Sequence, residues 1–123
     1  MKIIEQEEVR KLLQPKDCIQ LMAEALKGLE SGEYAQPARL ITVMPNTAKF
    51  GFMPAYVGDY FGAKVISAFA PNMGTKYPSH IGYVMLFESA HSTVAGMIEA
   101  GSITEIRTGA VSAAATDLLA RKD

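Results

Sequence analysis

The run Ile81 to Phe87 (IGYVMLF) constrains the fold more than any other stretch of this chain. A strand that faces water on one side alternates apolar and polar residues, and Tyr83 to Phe87 shows no such alternation. It reads as a strand buried on both faces. Val94 to Ile98 is a second apolar strand, joined to the first by the polar turn Glu88 to Thr93. In a chain of 123 residues, the chain's own helices can cover one face of such a sheet. The other face then calls for a second domain, a second subunit, or both.

The rest of the chain supplies the helices and the remaining strands. Lys2 to Ile4 is a short β start, and Glu5 to Leu13 sets Val9, Leu12 and Leu13 on one helical face. Pro15 suits the first turn of a second helix, where Asp17 complements the helix dipole. Ile19, Met22, Leu26 and Leu29 then form an apolar stripe of helical period, expected to be core. Gly32 suits a left-handed cap at its end. Cys18, on or beside the stripe, reads as a packed small hydrophobe. After Gly32 the texture turns to β. Arg39 to Met44 and Lys49 to Tyr56 flank a Pro45–Ala48 turn, and Ala63 to Ala70 follows before a loop from Pro71 to Ser79. The pattern predicts a single α+β domain over residues 1–123, with a mixed or antiparallel sheet of about five to six strands and helices packed on one side.

Composition excludes several function classes. Apolar residues make up 49% and charged residues 20% of the chain, a globular balance. Twelve Lys and Arg against 13 Asp and Glu leave a net charge of −1 without a basic block, so nucleic-acid binding and electrostatic membrane docking gain no support. One cysteine excludes an intrachain disulfide, and two scattered histidines give no metal-ligand spacing. The N-terminal MKIIEQEEVRKLL is charged throughout and lacks the apolar core of a secretory signal. No apolar run approaches the ~18–20 residues of a membrane span. The expectation is a soluble, cytoplasmic protein that uses no metal.

The last quarter reads as one long helix. Ser102, followed three residues later by Glu105, has the form of a capping box after Gly101. Ile103, Ile106, Ala110, Ala113, Ala114 and Leu118 recur at helical spacing. Arg107 leaves from this face of small and apolar residues. An unpaired charge away from water is very costly, so Arg107 snorkels past the alanines, pairs with an internal carboxylate, or clamps an anion in a cleft.

The segment ITEIRTGAVSAAATDLLARKD is preceded, in order, by Pro37-Ala38-Arg39, Met53-Pro54-Ala55-Tyr56, Gly62-Ala63-Lys64 and Pro78-Ser79-His80-Ile81-Gly82. Together these pieces resemble the first domain of the ornithine cyclodeaminase/mu-crystallin family over nearly the whole chain. The resemblance implies the substrate-binding and dimerisation domain of an NAD(P)-dependent enzyme acting on a small amino or imino acid. The family's chemistries include cyclodeamination of ornithine, oxidative deamination of alanine and reduction of a cyclic imine, with hydride passing between the substrate Cα and the nicotinamide. A dinucleotide-binding domain follows this one in full-length members, and no G-x-G-x-x-G occurs here. NAD or NADP is therefore expected to serve the full-length protein, and this chain alone is expected to bind neither and to be catalytically silent. The alternative is a non-catalytic binding or assembly module of the mu-crystallin kind. A homodimer or higher homo-oligomer is expected in either case.

By the same resemblance, Arg39, Lys64 and Arg107 hold the substrate. Arg39 and Arg107 correspond to carboxylate ligands, a task suited to a planar, bidentate fork. Arg39 would otherwise read as a solvated charge at a strand entrance. Lys64 corresponds to the lysine beside the substrate's amino and carboxylate groups that tunes proton transfer, and the small residues Gly62 and Ala63 leave room beside it. Without the resemblance it reads as an ammonium at a sheet edge. Met53, with Tyr56, shapes the pocket wall. His80 orients ligand or cofactor, or caps a loop. Thr108 approaches the cofactor, or back-bonds to its own helix. Phe52 stands where cyclodeaminases of the family can carry an acidic residue, which argues against ornithine.

Overall fold

Branched and aromatic runs become strands, and the runs of 3.6-residue period become helices. The computed structural model describes residues 1–123. Its elements are β1 (Lys2–Ile4), α1 (Gln6–Leu12), α2 (Pro15–Ser31), β2 (Tyr34–Ala35), β3 (Leu40–Val43), β4 (Lys49–Val57), β5 (Tyr60–Ala68), a 3₁₀ turn (Ala70–Asn72), β6 (His80–Glu88), β7 (Val94–Glu99) and α3 (Ala100–Leu119). All seven strands join one sheet in the order β1-β7-β6-β5-β4-β2, with β3 also paired to β4. β1 runs parallel to β7, and the other pairs are antiparallel. This is the α+β architecture with a mixed sheet that the sequence implies. The added strand is β2, whose two residues pair with Tyr56 and Val57 and are too few to leave a periodic trace.

The register sorts the side chains into two faces. Met53, Lys64, Val84, Ile98 and Ile4 stand opposite one another across five strands, forming one row on the helix side. One residue over, Pro54, Ala63, Met85, Met97 and Ile3 form a row on the reverse face, beside Tyr56, Phe61 and Phe87. The Phe61 and Phe87 rings stack at 5.3 Å. α1 and α2 both pack on α3, which lies on the sheet, so the helices make a single layer and leave the reverse face uncovered. Phe50, Phe52, Tyr56 and Ile81 accordingly stay 42–53% exposed. β6 is half-buried along most of its length, whereas its sequence implies burial on both sides.

Helix ends follow local chemistry, with one correction. Pro15 opens α2, and Gly32 closes it at φ +80°, a left-handed position that glycine adopts without a Cβ clash. α3 does not begin with a Ser102–Glu105 capping box. β7 runs straight into the helix, and Glu99 is the N-cap, its carboxylate accepting from the Gly101 and Ser102 amides. Burial works against the charge on Glu99, but these donors prevail and hold its pKa below the usual value. Ser102 is buried inside the first turn, and Glu105 instead accepts from Arg10 at 2.6 Å, tying α3 to α1.

The interior is thin. Eleven of 123 residues are buried, and among them only Val9 is a large aliphatic; the rest are Cys18, Ser102, four alanines and four glycines. Small side chains let α2, α3 and the sheet approach closely, as at Gly28, where a Cβ would overlap the Tyr34 ring. No helix is long and apolar enough to cross a membrane.

Candidate functional site

A cavity of about 610 Å³ opens between α2, α3, the sheet and the segment from Gln36 to Arg39. Arg39, Lys64 and Arg107 all line it. Each arrives by a different route. Pro37 stiffens the approach to β3 and sets Arg39 at its entrance, where the residue is exposed. Lys64 projects from the middle of β5, opposite Met53 on β4. Arg107 lies on the face of α3 that also presents Ile103, Thr104 and Val111 to the cavity. Met53 is part of the wall as well, whereas Tyr56, expected beside it, is three residues on along β4 and stands on the reverse face of the sheet.

The Lys64 ammonium is the group most affected by this arrangement. It donates to Thr104 Oγ1 at 3.2 Å. Burial lowers its pKa first, and the positive charges of Arg107 and then Arg39 lower it further. No Asp or Glu lines the cavity, so the three cations have no internal carboxylate to neutralise them there. Such a site attracts an anion, and two guanidinium forks suit a carboxylate. The lysine beside them gives up its proton more readily than a solvated one.

Thr104 escaped the sequence reading. The available signal was its position one turn before Arg107, which puts both on one helical face. Gly62 also has a different role from the one expected. A Cβ there would overlap the Met85 carbonyl oxygen, so the glycine allows β5 and β6 to approach rather than leaving room for a ligand. His80 opens β6, exposed, with Nδ1 3.2 Å from Ser79 Oγ, and it lies outside the cavity wall. Thr108 is exposed on α3 and outside the wall too. Phe52 stands on the reverse face of the sheet, across from Val65, so its identity does not shape this cavity.

The α2 stripe requires a larger correction. Met22, Leu26 and Leu29 were expected in the core, yet they face the cavity, with Leu26 52% and Leu29 38% exposed. The buried positions of α2 are Cys18 and Gly28, whose small size permits the close contact with its neighbours.

With this geometry in place, residues 1–123 match the profile of the ornithine cyclodeaminase/mu-crystallin family along their full length. The chain belongs to that family. Mouse ketimine reductase mu-crystallin is 34% identical over 101 residues, covering 80% of this chain and 32% of the relative. The Δ(1)-pyrroline-2-carboxylate reductase of Colwellia psychrerythraea is 28% identical over 130 residues, covering 100% and 40%. Among solved structures, Thermococcus litoralis Δ(1)-pyrroline-2-carboxylate reductase, in complex with NADH and L-proline, superposes with a TM-score of 0.91 at 29% identity, covering all of this chain and 39% of that one. An archaeal alanine dehydrogenase dimer with bound NAD gives a TM-score of 0.92 at 25% identity, covering 98% and 38%. This member of the family thus spans roughly two-fifths or less of the length of the relatives it matches.

The residues of the ornithine cyclodeaminase/mu-crystallin chain described here do not fit a dinucleotide. Pyrophosphate sites use a glycine-rich turn running into a free helix N-terminus after a parallel strand. Here the only parallel pair is β1 with β7, and the α3 amides that follow β7 are already taken by the Glu99 carboxylate.

Proposed function

We propose that this chain is the substrate-binding and dimerisation domain of an NAD(P)-dependent enzyme of the family, acting on a small amino or imino acid. The observation that carries the reading is the meeting of Arg39, Lys64 and Arg107 on one carboxylate-free cavity. Arg39 and Arg107 hold the substrate carboxylate. Lys64, oriented by Thr104 and held at a lowered pKa, keeps or moves the proton at the reacting nitrogen. Met53 forms the apolar side of the pocket. In this reading His80 and Thr108, exposed and outside the cavity wall, are left to meet the nicotinamide cofactor, which residues other than these hold.

The same proposal makes the reverse face of the sheet a two-fold contact with a second copy of the chain. Its rows of Phe, Tyr, Met and Ile side chains have nothing over them. Such side chains are already about half-buried, so covering the remainder contributes roughly 1 kcal/mol each. A face that pairs with its own copy is isologous, so one apolar surface serves both subunits.

Nuclear magnetic resonance titration of the chain with L-proline and with Δ(1)-pyrroline-2-carboxylate tests the site. Shifts are expected to centre on Lys64, Thr104 and Arg107 and to vanish in Arg107→Gln. Shifts confined to other surfaces would refute the assignment.

A further inference from the structure

We propose that the Met22, Leu26 and Leu29 face of α2 is the wall against which the ligand's side chain packs. The cavity then selects carboxylates with an uncharged, apolar side chain over those carrying a second ammonium group. This deepens the substrate reading above and rests on it.

Three observations carry the inference. First, an amphipathic helix normally turns its leucine stripe into the core, because that is where burial stabilises it most. Here the stripe is turned into a cavity. Leu26 and Leu29 keep 52% and 38% of their surface exposed while Cys18 and Gly28 take the packed positions. Second, that stripe shares a single cavity with the cation trio. A ligand held by its carboxylate at Arg39 and Arg107 therefore has an apolar surface for the rest of its length. Third, no Asp or Glu lines the cavity. A distal ammonium entering it would lose water, meet aliphatic side chains and feel three like charges, with no carboxylate in return. An alkyl tail loses nothing of the kind and gains contact with two leucines and a methionine. The selectivity determinant is thus α2, and Phe52, on the far side of the sheet, has no part in it.

L-norleucine and L-ornithine test this directly, since they are near-isosteric and differ in ending on a methyl or an ammonium group. Each is titrated into the 123-residue chain with methyl-labelled Leu and Met, at a pH where both α-amino groups are in the same state. Norleucine is expected to bind at least about tenfold more tightly and to shift the Met22, Leu26 and Leu29 methyls. Leu26 is half exposed, so polar replacements there are tolerated by the fold. Leu26→Gln should weaken norleucine severalfold and leave ornithine nearly unchanged. Leu26→Glu should bring the two affinities together or invert them. Equal affinities in the unmodified chain, a preference that survives Leu26→Glu, or norleucine binding without methyl shifts on α2 would each overturn the inference while leaving the carboxylate site intact. Binding of neither amino acid, or binding indifferent to Arg107→Gln, would sink the carboxylate site and this inference with it.

Discussion

One sheet, read from its two sides, gives two different surfaces. The helix side carries Met53, Lys64, Val84, Ile98 and Ile4 in one row, and the reverse side carries Pro54, Ala63, Met85, Met97 and Ile3 in the next. Both rows are mostly apolar, and both run across the same five strands. The helix side has a layer of helices and still holds an open cavity, whereas the reverse side has no cover and no ionisable group along that row. The difference lies in three cations. Arg39, Lys64 and Arg107 line the open cavity, where three like charges without a carboxylate would be costly to bury, whereas the helix layer closes over Ala110 and Ala114. The proposed function assigns the incompletely covered helix side to a ligand and the uncovered reverse side to a second copy of the chain.

If that division is right, substitutions on one face should leave the other's readout alone. The largest effect is expected at the centre of the reverse face. Met85→Glu places an unpaired charge in the proposed contact between copies, which costs about 3–5 kcal/mol and weakens dimerisation by at least about a hundredfold. Sedimentation equilibrium should show a dimer for the unmodified chain and a monomer for the variant, with carboxylate binding preserved in both. An unmodified chain that sediments as a 13.3 kDa monomer at micromolar concentration would remove the reverse face as an interface.

Arg107→Gln is the reciprocal change. Losing a charge-assisted hydrogen bond to a carboxylate costs roughly 1.5–3 kcal/mol, a ten- to hundredfold loss of affinity. Calorimetry should register this loss while the sedimentation profile stays that of the unmodified chain. A dimer that falls apart in Arg107→Gln would show that the two faces are not independent.

Gly62 sits between the two surfaces, because it sets the spacing of β5 and β6. Gly62→Ala forces a Cβ against the Met85 carbonyl and is expected to cost about 1–3 kcal/mol of folding stability, measured by urea unfolding. Both readouts should weaken together in this variant. A fully stable Gly62→Ala would mean that the strands shift apart at little cost.

The sequence resolved these features unevenly, for physical reasons. Elements with a clean period were legible: β6 and β7 from their apolar runs, α2 from its stripe and its Pro15 and Gly32 ends. The two-residue β2 was not, because two residues carry no period. The start of α3 was misread because Ser102 and Glu105 match a local motif, while the real cap, Glu99, belongs by pattern to the strand before it. The fate of the Met22, Leu26 and Leu29 stripe was hidden for a different reason. Helical period tells which residues share a face but not whether that face meets a core or a cavity, and the cations that share this cavity lie on other elements. Arg39, Lys64 and Arg107 are far apart in sequence, so their sharing of one cavity could be anticipated only from the family resemblance. Thr104 was within reach, one helical turn from Arg107, but nothing in its surroundings pointed to Lys64.

The smallest expected effect concerns the charge on Lys64, and it tests the helix-side surface alone. In the free chain, burial and the Arg107 and Arg39 charges lower the Lys64 pKa below that of the unfolded chain. Between the two values the unfolded chain binds more protons than the folded one. Folding stability therefore rises with pH across that window, and the penalty is present in full below the folded pKa. A carboxylate bound at the arginines offsets the repulsion and raises the Lys64 pKa again. Ligand binding should then take up a fraction of a proton in the alkaline window, and affinity should fall as pH rises through it. Titration calorimetry in two buffers of different ionisation enthalpy reads the proton uptake, and urea unfolding at neutral and alkaline pH reads the stability slope. Lys64→Met should abolish both the uptake and its share of the slope, and it should leave dimerisation on the reverse face unchanged. Equal proton uptake in the unmodified chain and in Lys64→Met would assign the titration to another group and remove Lys64 from the ligand's immediate surroundings.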